Sequence, residues 1–199
     1  MIVSPEALSL ERCYYLLSSC IVPRPIAWVG TLNEDESYNL APYSYFNAVS
    51  ATPPIVGIGI GRAHGKPEKD TLRNARRTGE LTVSIPTVNQ ASLVESSGEN
   101  LPYGDDEFKQ CGLTPSLGQV VSAPIVAEAK VSLECTVYDI IPIKRSNSTL
   151  LLAEIKIFHI RDTILDDKQC ADPKQFNPLV RMGSGQYASI DEVFTIKDS

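Results

Sequence analysis

The sequence predicts a mainly β domain: a barrel of antiparallel strands with short helices at its periphery. Residues 131–137 and 151–159 alternate apolar with polar side chains at a period of two, as half-buried strands do. A polar turn at residues 144–148 separates the two runs, which predicts an antiparallel hairpin. Regular alternation of helices with strands is missing, and this argues against a doubly wound parallel sheet.

Shorter strands are predicted at residues 26–31, 41–49, 55–60 and 81–85. A helix is predicted at residues 72–78, because Asp70 or Thr71 can cap its start and Gly79 follows its end. Further short helices are expected at residues 10–17, 88–96 and 105–110. The 14 prolines and 12 glycines are spread along all 199 residues, with no internal repeat, so we predict a single domain spanning residues 1–199.

The charge balance excludes several classes of partner. Eighteen basic and 24 acidic residues give a net charge of −6, which disfavours nucleic acid and an anionic membrane surface as main partners.

No apolar run is long enough to span a bilayer, and the first 20 residues do not resemble a signal peptide. An odd number of cysteines (five), with no C-x-x-C spacing and only two histidines, predicts neither a disulfide framework nor a metal site. We therefore expect a cytoplasmic protein in which Cys135 is a core residue.

A glycine-lined strand face is predicted at residues 56–61. Val56, Ile58 and Ile60 point to one side of this strand, and Gly57, Gly59 and Gly61 point to the other. Such a face admits close approach by another backbone or by a flat ligand. Tight strand packing inside the barrel and ligand binding are both consistent with this pattern.

A basic loop leads into the first turn of the helix predicted at residues 72–78. It carries Arg62, Lys66 and Lys69, followed by Asp70 and Thr71. Free N–H groups and the dipole at a helix start favour an anion, and basic side chains add charge-assisted hydrogen bonds. This is the predicted phosphate site, with a solvated surface run as the alternative.

Aromatic and small polar residues are interleaved at residues 39–50, in the segment NLAPYSYFNAVS. Such rings most often fill a core. The same mixture also suits a planar heteroaromatic ligand with hydrogen-bonding edges.

Several ordered blocks together resemble the flavin reductase-like, FMN-binding split-barrel family, and within it the flavoredoxin-like branch. The resemblance covers about residues 10–190. Its blocks are PRPIAWVGT at 23–31, NLAPYSYFNAVS at 39–50, PP at 53–54, KDT at 69–71 and TGE at 78–80, with later pieces at 106–108, 112–114, 154–159 and 178–183.

The resemblance implies a six-stranded antiparallel split barrel of Greek-key type that forms a homodimer and binds FMN near the dimer interface. One set of residues is implied to lie along the flavin ring: Trp28, Val29, Gly30 and Thr31. A second set is implied to line the isoalloxazine and the ribityl chain: Ser44, Tyr45, Phe46, Asn47, Ala48 and Ser50. A third is implied to hold the phosphate: Arg62, Lys69, Asp70 and Thr71.

The implied activity is hydride transfer from NADH or NADPH to the flavin, followed by electron transfer to an acceptor such as a redox partner protein. Because the cofactor supplies the chemistry, no catalytic residue is required. His159 and Arg181 match positions near the flavin and are predicted to meet the substrate; a core histidine and an interface ion pair are the alternatives. Gly30 stands where relatives often carry serine or threonine.

Two other functions stay open at this point. The first is an FMN-binding electron carrier without NAD(P)H-dependent activity of its own. The second is a barrel of this type that has lost its flavin and binds something else.

Overall fold

A seven-stranded antiparallel sheet forms the centre of the computed structural model, which describes residues 1–61 and 67–196. The strands of the chain are β1 (Arg24–Pro25), β2 (Ala27–Leu32), β3 (Tyr38–Tyr43), β4 (Phe46–Ala51), β5 (Pro54–Ile60), β6 (Glu80–Ile85), β7 (Pro115–Ser116), β8 (Ile125–Val126), β9 (Val131–Pro142), β10 (Thr149–Ile160), β11 (Val180–Arg181) and β12 (Tyr187–Ala188). The order in the central sheet is β3-β2-β6-β9-β10-β5-β4. The mainly β class predicted from the sequence is confirmed.

Short helices surround the sheet, as predicted. They are α1 (Leu10–Cys20), α2 (Asp70–Thr78), α3 (Ala91–Ser96), α4 (Glu107–Cys111) and α5 (Pro173–Phe176), with 3-10 turns at Pro5–Ala7, Val88–Gln90 and Asp162–Ile164. Helix α2 ends at Gly79, whose φ of 71° lies in the left-handed region that glycine adopts without strain. No helix among the described residues is both long and apolar enough to cross a membrane.

The sheet curls into a barrel at Ser44 and Tyr45. Strands β3 and β4 occupy opposite edges of the sheet, yet only these two residues connect them. The edges must therefore approach each other, and the backbone N–H of Gly59 on β5 donates to the Tyr45 carbonyl at 2.6 Å. The single strand predicted at residues 41–49 is wrong, because the bend at Ser44–Tyr45 divides it in two. The central sheet accordingly has seven strands rather than six.

Two hydrophobic cores lie on the two sides of β2. The barrel interior contains Val29 with Ile58, Leu81, Leu133 and Leu151. Outside the barrel, Trp28 packs in a second core formed by Ile26, Leu40, Val94, Phe108 and Leu179. Both faces of strand β2 are consequently buried. Most strands predicted from the sequence, in contrast, have the pattern of half-buried strands.

The predicted hairpin is confirmed as β9 and β10, which pair in antiparallel register with Val137 opposite Ala153. Cys135 is fully buried in the barrel core, as predicted. Tight packing explains two glycines of the predicted face, Gly57 and Gly59, but not Gly61, where an added Cβ would meet no atom within 4 Å. A Cβ added at Gly57 would lie 2.9 Å from a methyl of Val49, and one at Gly59 would lie 2.9 Å from Cβ of Tyr45.

Candidate functional site

Two adjoining cavities lie beside the bend that closes the barrel. The first, here called the Lys69 cavity, has a volume of about 260 Å³ and is lined by residues that include Asn39, Tyr43, Lys69, Asp70, Thr71 and Glu107. The second, the Ser44 cavity, measures about 240 Å³ and is lined by residues that include Tyr14, Ile26, Ser44, Glu95, Arg181 and Tyr187. Both are bordered by Pro42, Tyr43 and Gly98. Each is smaller than the roughly 300 Å³ at which cofactor sites begin, and together they reach that range.

The start of α2 forms one wall of the Lys69 cavity. Lys69 is the N-cap residue, and Asp70 and Thr71 form the first turn. The dipole and the free N–H groups of such a turn favour an anion, as does the Lys69 ammonium. The structure thus brings three predicted phosphate residues together at one cavity. Arg62, the fourth, lies outside the described residues, as does Lys66.

A buried amide network stands behind this wall. Asn39 Nδ2 donates to Thr31 Oγ1 at 3.0 Å and to Thr71 Oγ1 at 3.1 Å. Asn74 Nδ2 donates to the same Thr31 oxygen at 3.1 Å and to Asn33 Oδ1 at 2.7 Å. At most 3% of the surface of any of these five residues is exposed. The network therefore fixes the first turn of α2 against β2 and β3.

Glu107 faces the Lys69 cavity from the start of α4. It is 6% exposed, and its Oε2 accepts a hydrogen bond from the Leu40 N–H at 2.9 Å. Burial raises the pKa of Glu107 to about 7, and the nearby carboxylates of Asp70 and Asp106 add to this rise. Near neutral pH this carboxyl group is thus partly protonated, which reduces its repulsion of an anion in the cavity.

Tyr43 separates the two cavities. Its hydroxyl oxygen is buried and has no hydrogen-bond partner among the described residues. Thr71 lies near it, but the two hydroxyls make no hydrogen bond of normal geometry. Because buried hydroxyl groups normally have a partner, this oxygen is suited to a ligand.

Arg24 supports the Ser44 cavity from within the protein. Its guanidinium is 6% exposed and donates to the carbonyls of Ser18 at 2.5 Å, Ile21 at 2.8 Å and Met182 at 3.0 Å. Its Nε also lies 3.5 Å from Ser44 Oγ. Arg24 therefore ties the end of α1 and the chain after β11 to the bend that closes the barrel.

Arg181 lines the Ser44 cavity and forms an ion pair with Glu95. Its Nη1 lies 3.2 Å from Glu95 Oε2, and its guanidinium lies 4.2 Å from the centroid of the Tyr187 ring. The Tyr187 hydroxyl in turn donates to Glu95. This hydrogen bond and the Arg181 guanidinium hold the pKa of Glu95 below its usual range. Arg181 therefore forms an ion pair within its own chain and also lines the cavity, whereas an ion pair across an interface stays a prediction.

The β2 residues predicted to lie along the flavin ring are buried and line neither cavity. Trp28, Val29 and Thr31 have no exposed surface, and Trp28 Nε1 donates to Ser97 Oγ at 2.8 Å. A Cβ at Gly30 would lie 2.2 Å from the Pro124 carbonyl oxygen. This contact explains why glycine occupies position 30. The direct contact of all four residues with a cofactor stays a prediction.

The residues predicted to line the isoalloxazine lie along the open edge strand β4. Ser44 lines the cavity named after it. Tyr45, Asn47 and Ala48 are exposed to solvent, whereas Phe46 and Ser50 are half-buried. One chain therefore presents most of this segment as an open surface.

His159 is not brought together with the other predicted residues. It lies on β10, where its Nε2 is 2.6 Å from Oε1 of Glu134. It lines a separate cavity of about 430 Å³, together with Ser132, Phe158 and Arg161. Within one chain, His159 thus shares neither the Lys69 cavity nor the Ser44 cavity.

Sequence reasoning missed five residues of the site: Arg24, Tyr43, Glu95, Glu107 and Tyr187. Three of them stand inside motif blocks that were recognised without a role being assigned to them, namely Arg24, Tyr43 and Glu107. Glu95 lies in a predicted helix and Tyr187 near the chain end, both outside the motif blocks. Only their contacts with Arg181 reveal them.

Known proteins resemble this chain in sequence and in fold. The model of the flavin reductase like domain matches residues 18–188. Nitrilotriacetate monooxygenase component B from Bacillus cereus is 32% identical over 98% of both chains, with a TM-score of 0.93. Flavoredoxin of Desulfovibrio vulgaris (Miyazaki F) is 23% identical, with a TM-score of 0.80, over 98% of this chain and 97% of its own. An FMN-binding protein from Thermus thermophilus is 22% identical, with a TM-score of 0.78, over 98% of this chain and all of its own.

The two less similar structures share the fold. The family match spans most of the chain and includes the motif blocks from which the family was predicted. That prediction is confirmed: the chain belongs to the flavin reductase like family.

Proposed function

We propose that the protein binds FMN across the two adjoining cavities and acts as an NAD(P)H-dependent oxidoreductase of the flavin reductase type. The observation that carries this proposal is the pairing of an anion-suited cavity at the start of α2 with a second cavity beside the flavin-lining segment. Tyr43 borders both, so one elongated ligand with an anionic end can occupy them together.

The residues present fit FMN. The Lys69 ammonium, the N–H groups of the first turn of α2 and the Thr71 hydroxyl would hold the phosphate. The unpartnered Tyr43 hydroxyl adds a donor at the same cavity. Ser44 and the backbone of β4 would hold the ring, since an edge strand has N–H and C=O groups on its outer side that pair with no neighbouring strand. Bound FMN would accept a hydride from NADH or NADPH and pass the electrons to an acceptor.

The chain's own contribution is to bind and orient. Arg24 fixes Ser44 and the chain near Met182, so that the wall of the Ser44 cavity is rigid. Arg181 offers a guanidinium to a nicotinamide nucleotide, with Glu95 and Tyr187 holding its position. No acid–base residue is needed for hydride transfer, so we assign none.

A homodimer is part of this proposal. The bend before β4 leaves Tyr45 exposed and β4 itself leaves Val49 exposed, while helix α1 exposes Tyr14 and Leu17. Monomers rarely expose apolar patches of this kind without a binding role. A second copy that covers this surface would enclose the flavin-lining segment, which a single chain leaves open.

An FMN-binding electron carrier is the second candidate. The pairing of Arg181 with Glu95 favours it, because a neutralised guanidinium attracts a dinucleotide less strongly than a free one. The structural similarity to flavoredoxin supports this candidate at the level of the fold. Electrons would then come from a redox partner protein.

Anaerobic titration of the FMN-loaded protein with NADH and then with NADPH tests the two candidates. Loss of the visible absorbance of bound flavin establishes the reductase and shows which nucleotide it prefers. Bound flavin that stays oxidised in both titrations supports the electron carrier. Failure to bind FMN at all would contradict both.

A further inference from the structure

Three polar side chains meet at the floor of the Lys69 cavity: Asn39, Tyr43 and Thr71. Asn39 is 3% exposed and Thr71 is 1% exposed. The hydroxyl oxygen of Tyr43 is buried as well. Polar groups withdrawn from water in this way normally satisfy one another. In two of these three side chains, the hydroxyl hydrogen makes no hydrogen bond of normal geometry with a described residue.

The first such hydrogen belongs to Thr71. Asn39 Nδ2 lies 3.1 Å from Thr71 Oγ1, and an amide nitrogen can only donate. The second hydrogen of the same amide is donated to Thr31 Oγ1 at 3.0 Å, so both amide hydrogens of Asn39 have an acceptor. Thr71 must therefore accept from Asn39. Its own hydroxyl hydrogen makes no hydrogen bond of normal geometry with a described residue, although the Tyr43 oxygen lies beside it.

The second hydrogen belongs to Tyr43. Its hydroxyl makes no hydrogen bond with any described residue. Burial raises the pKa of this hydroxyl, and the negative charges of Asp70 and Glu107 act in the same direction. The group accordingly remains a protonated donor throughout the physiological pH range. Tyr43 and Thr71 both line the Lys69 cavity, so the two hydroxyl groups are available to one ligand there.

We propose that Tyr43 and Thr71 form a pair of hydroxyl donors for the phosphate of the bound flavin nucleotide, and that Asn39 is the positioning residue that keeps Thr71 a donor. Phosphate oxygens are acceptors only, which is the complement that two donors require. The inference rests on the proposed function: it gives Tyr43 and Asn39 their hydrogen-bonding roles in the anion site to which Thr71 already belongs.

Replacing Tyr43 by Phe removes one oxygen and nothing else. The expected result is about tenfold weaker binding of FMN, the loss of one hydrogen bond to a charged group. Riboflavin, which lacks the phosphate, should bind as it does to the unchanged protein. The melting temperature of the ligand-free protein should stay the same or rise, because a buried hydroxyl without a partner costs stability. A purely structural role would instead lower the melting temperature and weaken both flavins.

Tyr38→Phe is the matched control, since Tyr38 begins the same strand and lines neither cavity. It should leave both flavin affinities unchanged. Isothermal titration calorimetry in a buffer free of phosphate and nicotinamide nucleotide measures all of these affinities. A Tyr43→Phe variant that binds FMN as tightly as the original protein overturns the role of Tyr43.

Asn39→Asp tests the positioning role. A carboxylate at this position would accept the Thr71 hydrogen and turn a lone pair of Thr71 towards the cavity. FMN affinity should then fall by at least tenfold, while riboflavin affinity is retained. Should this variant fail to fold, Thr71→Val removes the same donor with little change of shape and should lower FMN affinity selectively. If the variant that folds still prefers FMN over riboflavin as strongly as the unchanged protein does, the assignment is overturned.

The same titrations separate this inference from the proposed function. If the unchanged protein binds FMN no better than riboflavin, the phosphate site itself is wrong. If it prefers FMN, and the Tyr43 and Thr71 variants keep that preference, only the hydroxyl pair is wrong.

Discussion

The Nε2 atom of His159 lies 2.6 Å from Oε1 of Glu134, a carboxylate whose side chain has no exposed surface. The same carboxylate accepts the backbone N–H groups of Gln119 at 2.8 Å, Val120 at 2.7 Å and Val121 at 3.0 Å. Gly118 allows this close approach, because a Cβ there would lie 2.5 Å from Glu134 Oε2. The pair therefore fixes the segment before β8 against the outer face of β9.

Glu134→Gln should lower the free energy of unfolding by about 3 kcal/mol, because it removes the buried charge that His159 and three N–H groups satisfy. Burial opposes ionisation, but these hydrogen bonds outweigh it and lower the pKa of Glu134 from 4.5 to about 2. The stabilisation is thus present above pH 4.5 and lost as the pH falls towards 2. Urea denaturation at pH 6 and pH 3 measures it. Glu34→Gln, at an exposed ion pair, is the control and should change little.

Gly30→Ala should lower the free energy of unfolding by about 2 kcal/mol. The added methyl would lie 2.2 Å from the Pro124 carbonyl oxygen and 2.6 Å from Thr82 Oγ1, so β2 or the chain at Pro124 must shift. Gly61→Ala is the control, since a methyl there meets no described atom within 4 Å. Equal melting temperatures for the two variants would contradict the packing argument.

Glu107→Gln should reduce the decrease in the free energy of unfolding that the protein shows as the pH rises. Burial raises the pKa of Glu107 from 4.5 to about 7, so between these values the folded protein keeps a proton that the unfolded chain releases. Rising pH therefore favours unfolding in this window, by up to about 3 kcal/mol. The glutamine retains an acceptor for the Leu40 N–H. Denaturation at pH 5 and pH 8 should show a smaller decrease for the variant, and an unchanged decrease would disprove the assignment.

Lys69→Ala should weaken FMN binding by about 1.5–3 kcal/mol, the contribution of a charge-assisted hydrogen bond. Riboflavin binding should be unaffected, because the lost ammonium is expected to contact the phosphate alone. Lys168→Ala, which removes an equal charge from a residue outside both cavities, serves as the control. Fluorescence titration with the two flavins checks the result, and equal losses for both would place Lys69 elsewhere than at the phosphate.

Glu95→Gln should free Arg181 for a nicotinamide nucleotide. The pair is partly exposed, so a modest change is expected. We expect a KM for NADH or NADPH that is about twofold to fivefold lower, which corresponds to roughly 0.4–1 kcal/mol. The affinity for FMN should not change. Steady-state kinetics measure the effect, and a KM that rises or stays constant would argue that Arg181 does not meet the nucleotide.

The sequence by itself determined the elements whose causes are local. Period-two alternation located β9 and β10, because successive strand residues point to opposite faces. The start of α2 and Gly79 marked the helix on which the anion site is built. The motif blocks identified the family, since several ordered blocks rarely recur together by chance.

Tertiary structure alone decided which of these residues meet. Asn39 and Thr71 are 32 residues apart, and Glu134 and His159 are 25 apart, so no local pattern joins them. Glu134 falls on the polar side of its strand, where the segment at residues 119–121 and His159 cover its carboxylate. The bend at Ser44–Tyr45 was missed because strand propensity continues through it, whereas the closing of the barrel interrupts the pairing. Long-range packing sets burial and hydrogen-bond polarity, and it brings Tyr43, Thr71 and Asn39 together at one cavity.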